Sequence, residues 1–522
     1  MKRVLAALAL AVLSLAILNA QEGGVTAAKL LNPGTDSWPT FNGDYSGRRF
    51  STLAQITADN VKHLSLAWIS DIGANVGIIK ATPLAINGVI YFSTPNNAFA
   101  FDARTGRELW RYTWPTKGGN TIGNRGMAAL GDTLYFETPD CHLVALNMRD
   151  GTLKWSKVIC NSDLFYYASV APTIVKNQVI AGVSGDDTDI PGYLQAHDPV
   201  TGEMKWRWYA VPQKMGEPGS ETWPNEQVMK NGGGMTWQPV TYDPELNLIF
   251  VTTGNPQPVI AFKNRIGANL FTGAVVALDA DTGKMVWYFQ SSPQDTHDWD
   301  STQPAVLYDA VINGQPRKLV AQAARNGHFF ILDRTNGKAL VSTEFVPTNW
   351  SSGYDEKGQP IPNPAKMPQV SGVLTSPAQG GGTNWNAASL SPRTGLFYIN
   401  ASISYSIYYI YDPSDDPAGW GGTDRGGYSK SMLQAIDYRT GKIRWSHPWY
   451  DGQRSGLLST AGNVLFTGGS GGLTALNATT GAALWNSRIG SVSNGPITFE
   501  LDGLQYVIVG NGTRLVAFVM NK

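Results

Sequence analysis

One nine-residue pattern recurs along the chain and limits what it can become. It runs Asp or Asn, a few residues, a turn glycine, then an apolar strand that ends in tryptophan. The copies are "DARTGRELW" to Trp110, "NMRDGTLKW" to Trp155, "DPVTGEMKW" to Trp206, "DADTGKMVW" to Trp287, "DYRTGKIRW" to Trp445 and "NATTGAALW" to Trp485, with "DRTNGKALV" carrying Val341 in place of the indole. The turn glycines lie 40 residues apart (Gly441 to Gly481) to 54 apart (Gly283 to Gly337), except at two wider gaps that must hold insertions. A period of about 40 to 50 residues with four short strands per unit is the signature of a β-propeller. Each Asx–Gly turn joins the outer two strands of a blade, and the tryptophan is suited to stack between blades. These copies make seven blades. An eighth arises if C-terminal "YVIVGNGTRLVAFV" pairs with N-terminal "HLSLAWISD", which carries Trp68. The expectation is an all-β, eight-bladed propeller closed by its two ends, which leaves no free sheet edge. The insertions, residues 211–234 and 346–383, are expected as loops over one face.

Composition agrees with β structure: 57 Gly, 30 Pro, 17 Trp and 21 Tyr. Forty basic and forty acidic side chains cancel, which argues against a nucleic-acid partner, whose footprint is a basic excess. The start, "MKRVLAALALAVLSLAILNAQEGG", has a basic head, an apolar run and a small residue at Ala20. It reads as an export signal over residues 1–20, cleaved before Gln21, and its apolar run is shorter than the ~20 residues of a membrane span. Residues 21–522 then form a single exported propeller domain with no stable membrane span. The two cysteines, Cys141 and Cys160, flank a hairpin that turns at residues 149–151. Pairing outward from that turn brings them nearly opposite, so a cross-strand disulfide is expected, with two free thiols as the alternative.

Several stretches carry chemistry. "GGGMTWQP" exposes an indole, Trp237, after a glycine run, and "TTGNP" offers the amide of Asn255, a hard-cation ligand. "SSPQDTHDWDSTQP" crowds Asp295, Asp298 and Asp300 into six residues of a chain that is only 15% charged. "GVSGDDTDIPGY", "YASVAPT", "NRG", "ARNG" and "GGTNW" complete the set. Taken with the tryptophan repeats, these motifs resemble the pyrroloquinoline quinone (PQQ)-dependent alcohol dehydrogenases of the bacterial periplasm, over nearly the whole mature chain.

The resemblance implies roles residue by residue. Trp237 is the floor under the flat quinone. Asp187, Asn255 and Asp298 hold a metal ion, with Asp186 and Asp189 as alternatives to Asp187. Asp298 is also the base that takes the alcohol proton while hydride passes to the quinone. Asp300 is an added metal ligand that accompanies lanthanide-using members, although sugar-oxidising relatives carry a similar doublet, so Ca²⁺ and a lanthanide both stay open. Arg125 matches the residue that salt-bridges a quinone carboxylate, and Arg325 the one that bonds the reactive oxygen. Ser169, Ser184, Gly185, Asn384 and Trp385 match residues around the quinone. Asp295 is expected to face solvent and His297 to be structural.

Three departures stand beside these matches. Lys80 replaces a glutamate that contacts the quinone, the vicinal cysteine pair over the quinone is missing from "GGNTIGNRG", and a tryptophan near the last blade gives way to "DGQRSGLL". The expected activity is oxidation of a primary alcohol to an aldehyde. Without a Cys-x-x-Cys-His haem site, electrons would leave to an external cytochrome c, and a homodimer is left open. A sugar or polyol substrate is the alternative within the enzyme class. A non-enzymatic propeller scaffold of the outer-membrane assembly type is the alternative outside it, distinguished by its lack of the carboxylate and arginine set.

Overall fold

The computed structural model describes residues 24–120, 122–185, 188–301, 303–411, 419–449 and 455–520. The signal-like residues 1–20, Asp186 and Asp187, and residues 451–454 of "DGQRSGLL" lie outside them. The chain is all-β, and helix is confined to short pieces such as Ala27–Leu31 and Glu226–Lys230.

Eight sheets of four or five strands follow one another along the chain. The first is a meander of Leu84–Ile86, Val89–Thr94, Asn97–Asp102 and Glu108–Thr113. Five more follow, each ending in a strand that carries Trp155, Trp206, Trp287, Val341 or Trp445. In the seventh, Phe50–Ser51 adds in parallel to Leu458–Thr460. In the last, Leu64–Asp71 pairs antiparallel with Arg514–Met520, setting Trp68 opposite Ala517, so the two ends of the chain share a sheet as the sequence suggested.

The indoles join neighbouring sheets. Trp68 lies against the Gly106 turn of the first sheet, where an added Cβ would come 2.5 Å from the ring, and donates its N–H to Ala103 O at 3.0 Å. Trp206 leaves 2.3 Å at Gly283, which also holds φ at +67°, so glycine is required there by both space and backbone. Trp110, Trp155, Trp287 and Trp445 cover Gly151, Gly202, Gly337 and Gly481 in the same way, while Val341 and Thr343 meet Gly441. The recurrent glycine and the recurrent indole of the preceding unit are therefore two halves of one contact.

Cys141 and Cys160 are bonded, with Cα atoms 5.0 Å apart, flanking the paired strands His142–Asn147 and Leu153–Val158. The first insertion carries Ser220–Thr222 and Glu226–Lys230 as single helical turns, and the second folds its own two-stranded ribbon, Ser351–Tyr354 with Pro360–Pro362. No helix of the described residues is long and apolar enough to cross a membrane.

Topology gathers the predicted residues. In an antiparallel four-strand meander, the segment entering the first strand and the loop between the second and third lie at the same end. Lys80, Arg125, Trp237, Asp298, Asp300, Asn384 and Trp385 enter first strands; Ser184, Asn255 and Arg325 sit between second and third strands. The glycine turns lie at the opposite end.

Candidate active site

That end of the molecule holds a cavity of ≈ 640 Å³, within the range of small-molecule and cofactor pockets. Arg125, Ser184, Trp237, Asp298, Asp300, Arg325, Asn384 and Trp385 all line it, together with Lys80. Ser169 and Asn255 stand just behind the wall: Ser169 Oγ accepts from Arg125 at 2.6 Å, and Asn255 N donates to Asp300 at 2.6 Å. Gly185 lies beside Ser184 without lining the cavity. Asp187 falls outside the described residues, and Asp189, one of its alternatives, accepts from Gly419 N at 2.6 Å.

The acidic loop corrects one expectation. Asp295 does not face solvent; it is 3% exposed, and its two carboxylate oxygens accept from His297 N at 3.0 Å and Trp299 N at 2.7 Å. A buried carboxylate that caps two backbone N–H groups fixes a tight turn. Burial nevertheless raises its pKa to about 6, with the bonds from Trp299 and the charge of Arg265 opposing. Arg265, fully buried, donates to both Val259 O and Asp295 O, at 2.7 and 2.6 Å, and so ties the segment after Asn255 to the acidic loop. The turn places Asp298 at φ +66°, a left-handed conformation uncommon outside Gly and Asn/Asp. His297 is structural as expected. It stacks on Trp299 at 4.2 Å, and burial lowers its pKa to about 3, so it is neutral.

Asp298 and Asp300 share one cation. Arg325 donates to Asp298 Oδ2 at 2.7 Å and to Asp300 Oδ2 at 3.3 Å, and all three side chains are buried. Desolvation opposes Arg325's charge, but the carboxylates outweigh it and hold its pKa above the ordinary value. Burial pushes Asp300 up while Arg325, Asn255 N and Trp237 pull it back. Trp237 contributes through its indole N–H, 3.0 Å from Asp300 Oδ2. Gln379, which no motif singled out, donates to Asp298 Oδ2 and holds Arg325 Nε through its backbone carbonyl at 3.1 Å.

The donor set suits a hard cation. Asn255 uses its amide nitrogen on Pro256 O, at 3.0 Å, so its carbonyl oxygen is not the atom engaged there, and an amide oxygen is a hard-cation donor. Among the described residues no three His, Cys, Asp or Glu side chains converge, and the third expected carboxylate is Asp187. The aromatic walls suit a flat group, and the cation beside them would suit an anionic one. The Arg125 guanidinium lies 4.4 Å from the Trp237 ring centroid and 5.7 Å from that of Trp385, so a planar cation sits against two indole faces.

Beneath Arg125 is a second group the motifs did not reveal. Glu137 is fully buried, accepts from Val170 N at 2.9 Å, and burial raises its pKa to about 8, with Val170, Gly182 and Arg125 opposing. Near pH 7 the folded chain therefore keeps a proton that the unfolded chain has lost. Stability should fall as pH rises from about 4.5 to about 8 and then level. Glu137→Gln, which keeps the acceptor for Val170, is expected to flatten that fall by a few kcal/mol, read from urea midpoints at either end of the window.

Known proteins resemble the chain over most of its length. Residues 38–372 match the model of the PQQ family described as "Glucose/ethanol/alcohol dehydrogenase, beta-propeller domain", and residues 429–519 match the repeat family of "Outer membrane protein assembly factor BamB". The chain is 36% identical to a quinohemoprotein alcohol dehydrogenase of Comamonas testosteroni, over 92% of this chain and 73% of that one. It is 33% identical to a 1-butanol dehydrogenase (cytochrome c) of Thauera butanivorans, over 91% and 74%. A europium-containing methanol dehydrogenase superposes with a TM-score of 0.85 at 29% identity, covering 93% of this chain and 91% of that structure. Carrying both the fold and the carboxylate–arginine cavity, the chain belongs to the PQQ-dependent alcohol dehydrogenase family.

Proposed function

We propose that this chain oxidises a primary alcohol to an aldehyde in the periplasm, with PQQ and one metal ion bound in the cavity over Trp237. The observation that carries the reading is Arg325 bridging Asp298 and Asp300 at the rim of an aromatic-walled pocket. PQQ supplies the hydride acceptor, and the ion, Ca²⁺ or a lanthanide, polarises it. Asp298 takes the hydroxyl proton of the alcohol, held in place by Gln379 and Arg325. Arg325 presents fixed N–H donors where negative charge develops. Trp237 and Trp385 give the planar walls, Arg125 the counter-charge, and Ser169, Ser184, Gly185 and Asn384 the polar surround. Asn255, Asp298, Asp300 and Asp187 are the proposed metal ligands.

Electrons would leave to a separate cytochrome c, since both cysteines are in the disulfide and none remains to attach a haem. That disulfide also supports an oxidising compartment. The eight sheets are read as blades of one closed ring. Trp68 of the last sheet on Gly106 of the first, and Trp485 packed 5.3 Å from Phe518, support closure. The family's dehydrogenase relatives favour this enzyme over a scaffold.

Purified chain reconstituted with PQQ and either Ca²⁺ or La³⁺ is expected to reduce an artificial dye when given primary alcohols. Neither quinone absorbance nor alcohol-dependent dye reduction with any metal would overturn the reading.

A further inference from the structure

The cavity has two electrostatic ends. Around Asp298 and Asp300, the charges of Arg325 and the carboxylates meet within 3.3 Å. Lys80 is different. Its ammonium lines the same cavity, yet among the described residues it forms no ion pair with any carboxylate. The acceptor it meets is a backbone carbonyl, Ile122 O, at 2.5 Å. Its side chain runs along Gly123, where an added Cβ would come 2.8 Å from Lys80 Cδ, so the bare backbone at that position leaves the lysine its course. Partial burial lowers its pKa, and the one charge that adds to this effect is another cation, Arg125.

A half-buried ammonium that meets no carboxylate among the described residues, and that a neighbouring guanidinium repels, marks a place where an anion relieves a standing cost. We propose that Lys80 joins Arg125 in clamping the carboxylates of PQQ, so that two cationic side chains on one wall hold the cofactor by charge. This rests on the PQQ reading above and adds Lys80 to its binding residues. The bond to Ile122 O orients the ammonium, and loading would share that ammonium between the carbonyl and a cofactor carboxylate.

The test separates charge from loop tethering. Gln at position 80 retains an N–H donor for Ile122 O but carries no charge, and Arg retains both. PQQ binding is followed by quenching of tryptophan fluorescence in the Ca²⁺-loaded protein, with PQQ and its trimethyl ester as probes. Lys80→Gln is expected to weaken PQQ binding about 10-fold and Lys80→Arg to leave it near the parent value, as befits a charge-assisted contact. For the triester, which has no carboxylate to pair, the parent and Lys80→Gln should bind alike. Equal binding of PQQ by parent and Lys80→Gln would overturn the clamp. So would an equal loss on both probes, which would make Lys80 a tether for the backbone at Ile122. A parent protein that binds no PQQ would instead overturn the quinone reading, and the clamp with it.

Discussion

Asp298→Asn is expected to lower kcat by about 10²- to 10⁴-fold, the range for loss of a positioned general base, while PQQ still quenches tryptophan fluorescence as in the parent. Asparagine is the informative choice because the backbone there sits at φ +66°, which Asn tolerates far better than Ala. Its amide oxygen still accepts from Arg325 or Gln379, so the cluster keeps its shape and loses its proton acceptor. Asp298→Ala should lose the same activity and, in addition, melt at a lower temperature, because the left-handed turn is then strained. An Asp298→Asn enzyme with the parent's kcat would remove Asp298 from the role of base.

Arg325→Met is expected to fail in two separable ways. Metal-free protein should lose about 3–5 kcal/mol of stability, the cost of taking one partner from a buried ion pair, since Asp298 and Asp300 would then face each other without Arg325 between them. Added Ca²⁺ or La³⁺ should raise the melting temperature of this variant more than that of the parent, because the ion takes over the missing positive charge. With metal supplied, kcat should still fall by about 10²–10³, the typical effect of deleting one preorganised donor at a developing oxyanion. Equal melting of the metal-free variant and the parent would show that Arg325 does not compensate the two carboxylates.

The architecture was legible because its signal is local and repeated. An Asx–Gly turn and an indole recur at blade spacing, and both are required by the same contact, as Trp206 on Gly283 shows. The pairing of the two chain ends was legible for a related reason: "HLSLAWISD" carries an indole, Trp68, as the other outer strands do, and "YVIVGNGTRLVAFV" offers the inner strands. The cavity residues were legible only as a constellation, since Ser184 or Arg125 alone carries no signal. Asp295 was misread because composition makes an acidic loop look solvated. Nothing in the letters says that its oxygens turn inward onto the N–H groups of His297 and Trp299. Gln379 and Glu137 were missed for a different cause. Each acts through a neighbour brought from a distant segment, Asp298 for one and Val170 for the other, and no spacing rule encodes that approach.

The substitution of Val341 for an indole bears on how neighbouring sheets hold together. Six joints between sheets are riveted by tryptophan on glycine; the joint between the fifth and sixth sheets rests on Val341 and Thr343 against Gly441, a smaller apolar contact. The hydrogen bonds of Gln379 to Asp298 and Arg325 reach across this same joint, from a connection within the sixth sheet, between Val373–Thr375 and Ser389–Ser391, to the loops around the fifth. These bonds therefore cross a joint that has no indole, and the carboxylate–arginine cluster helps to clasp two neighbouring sheets together.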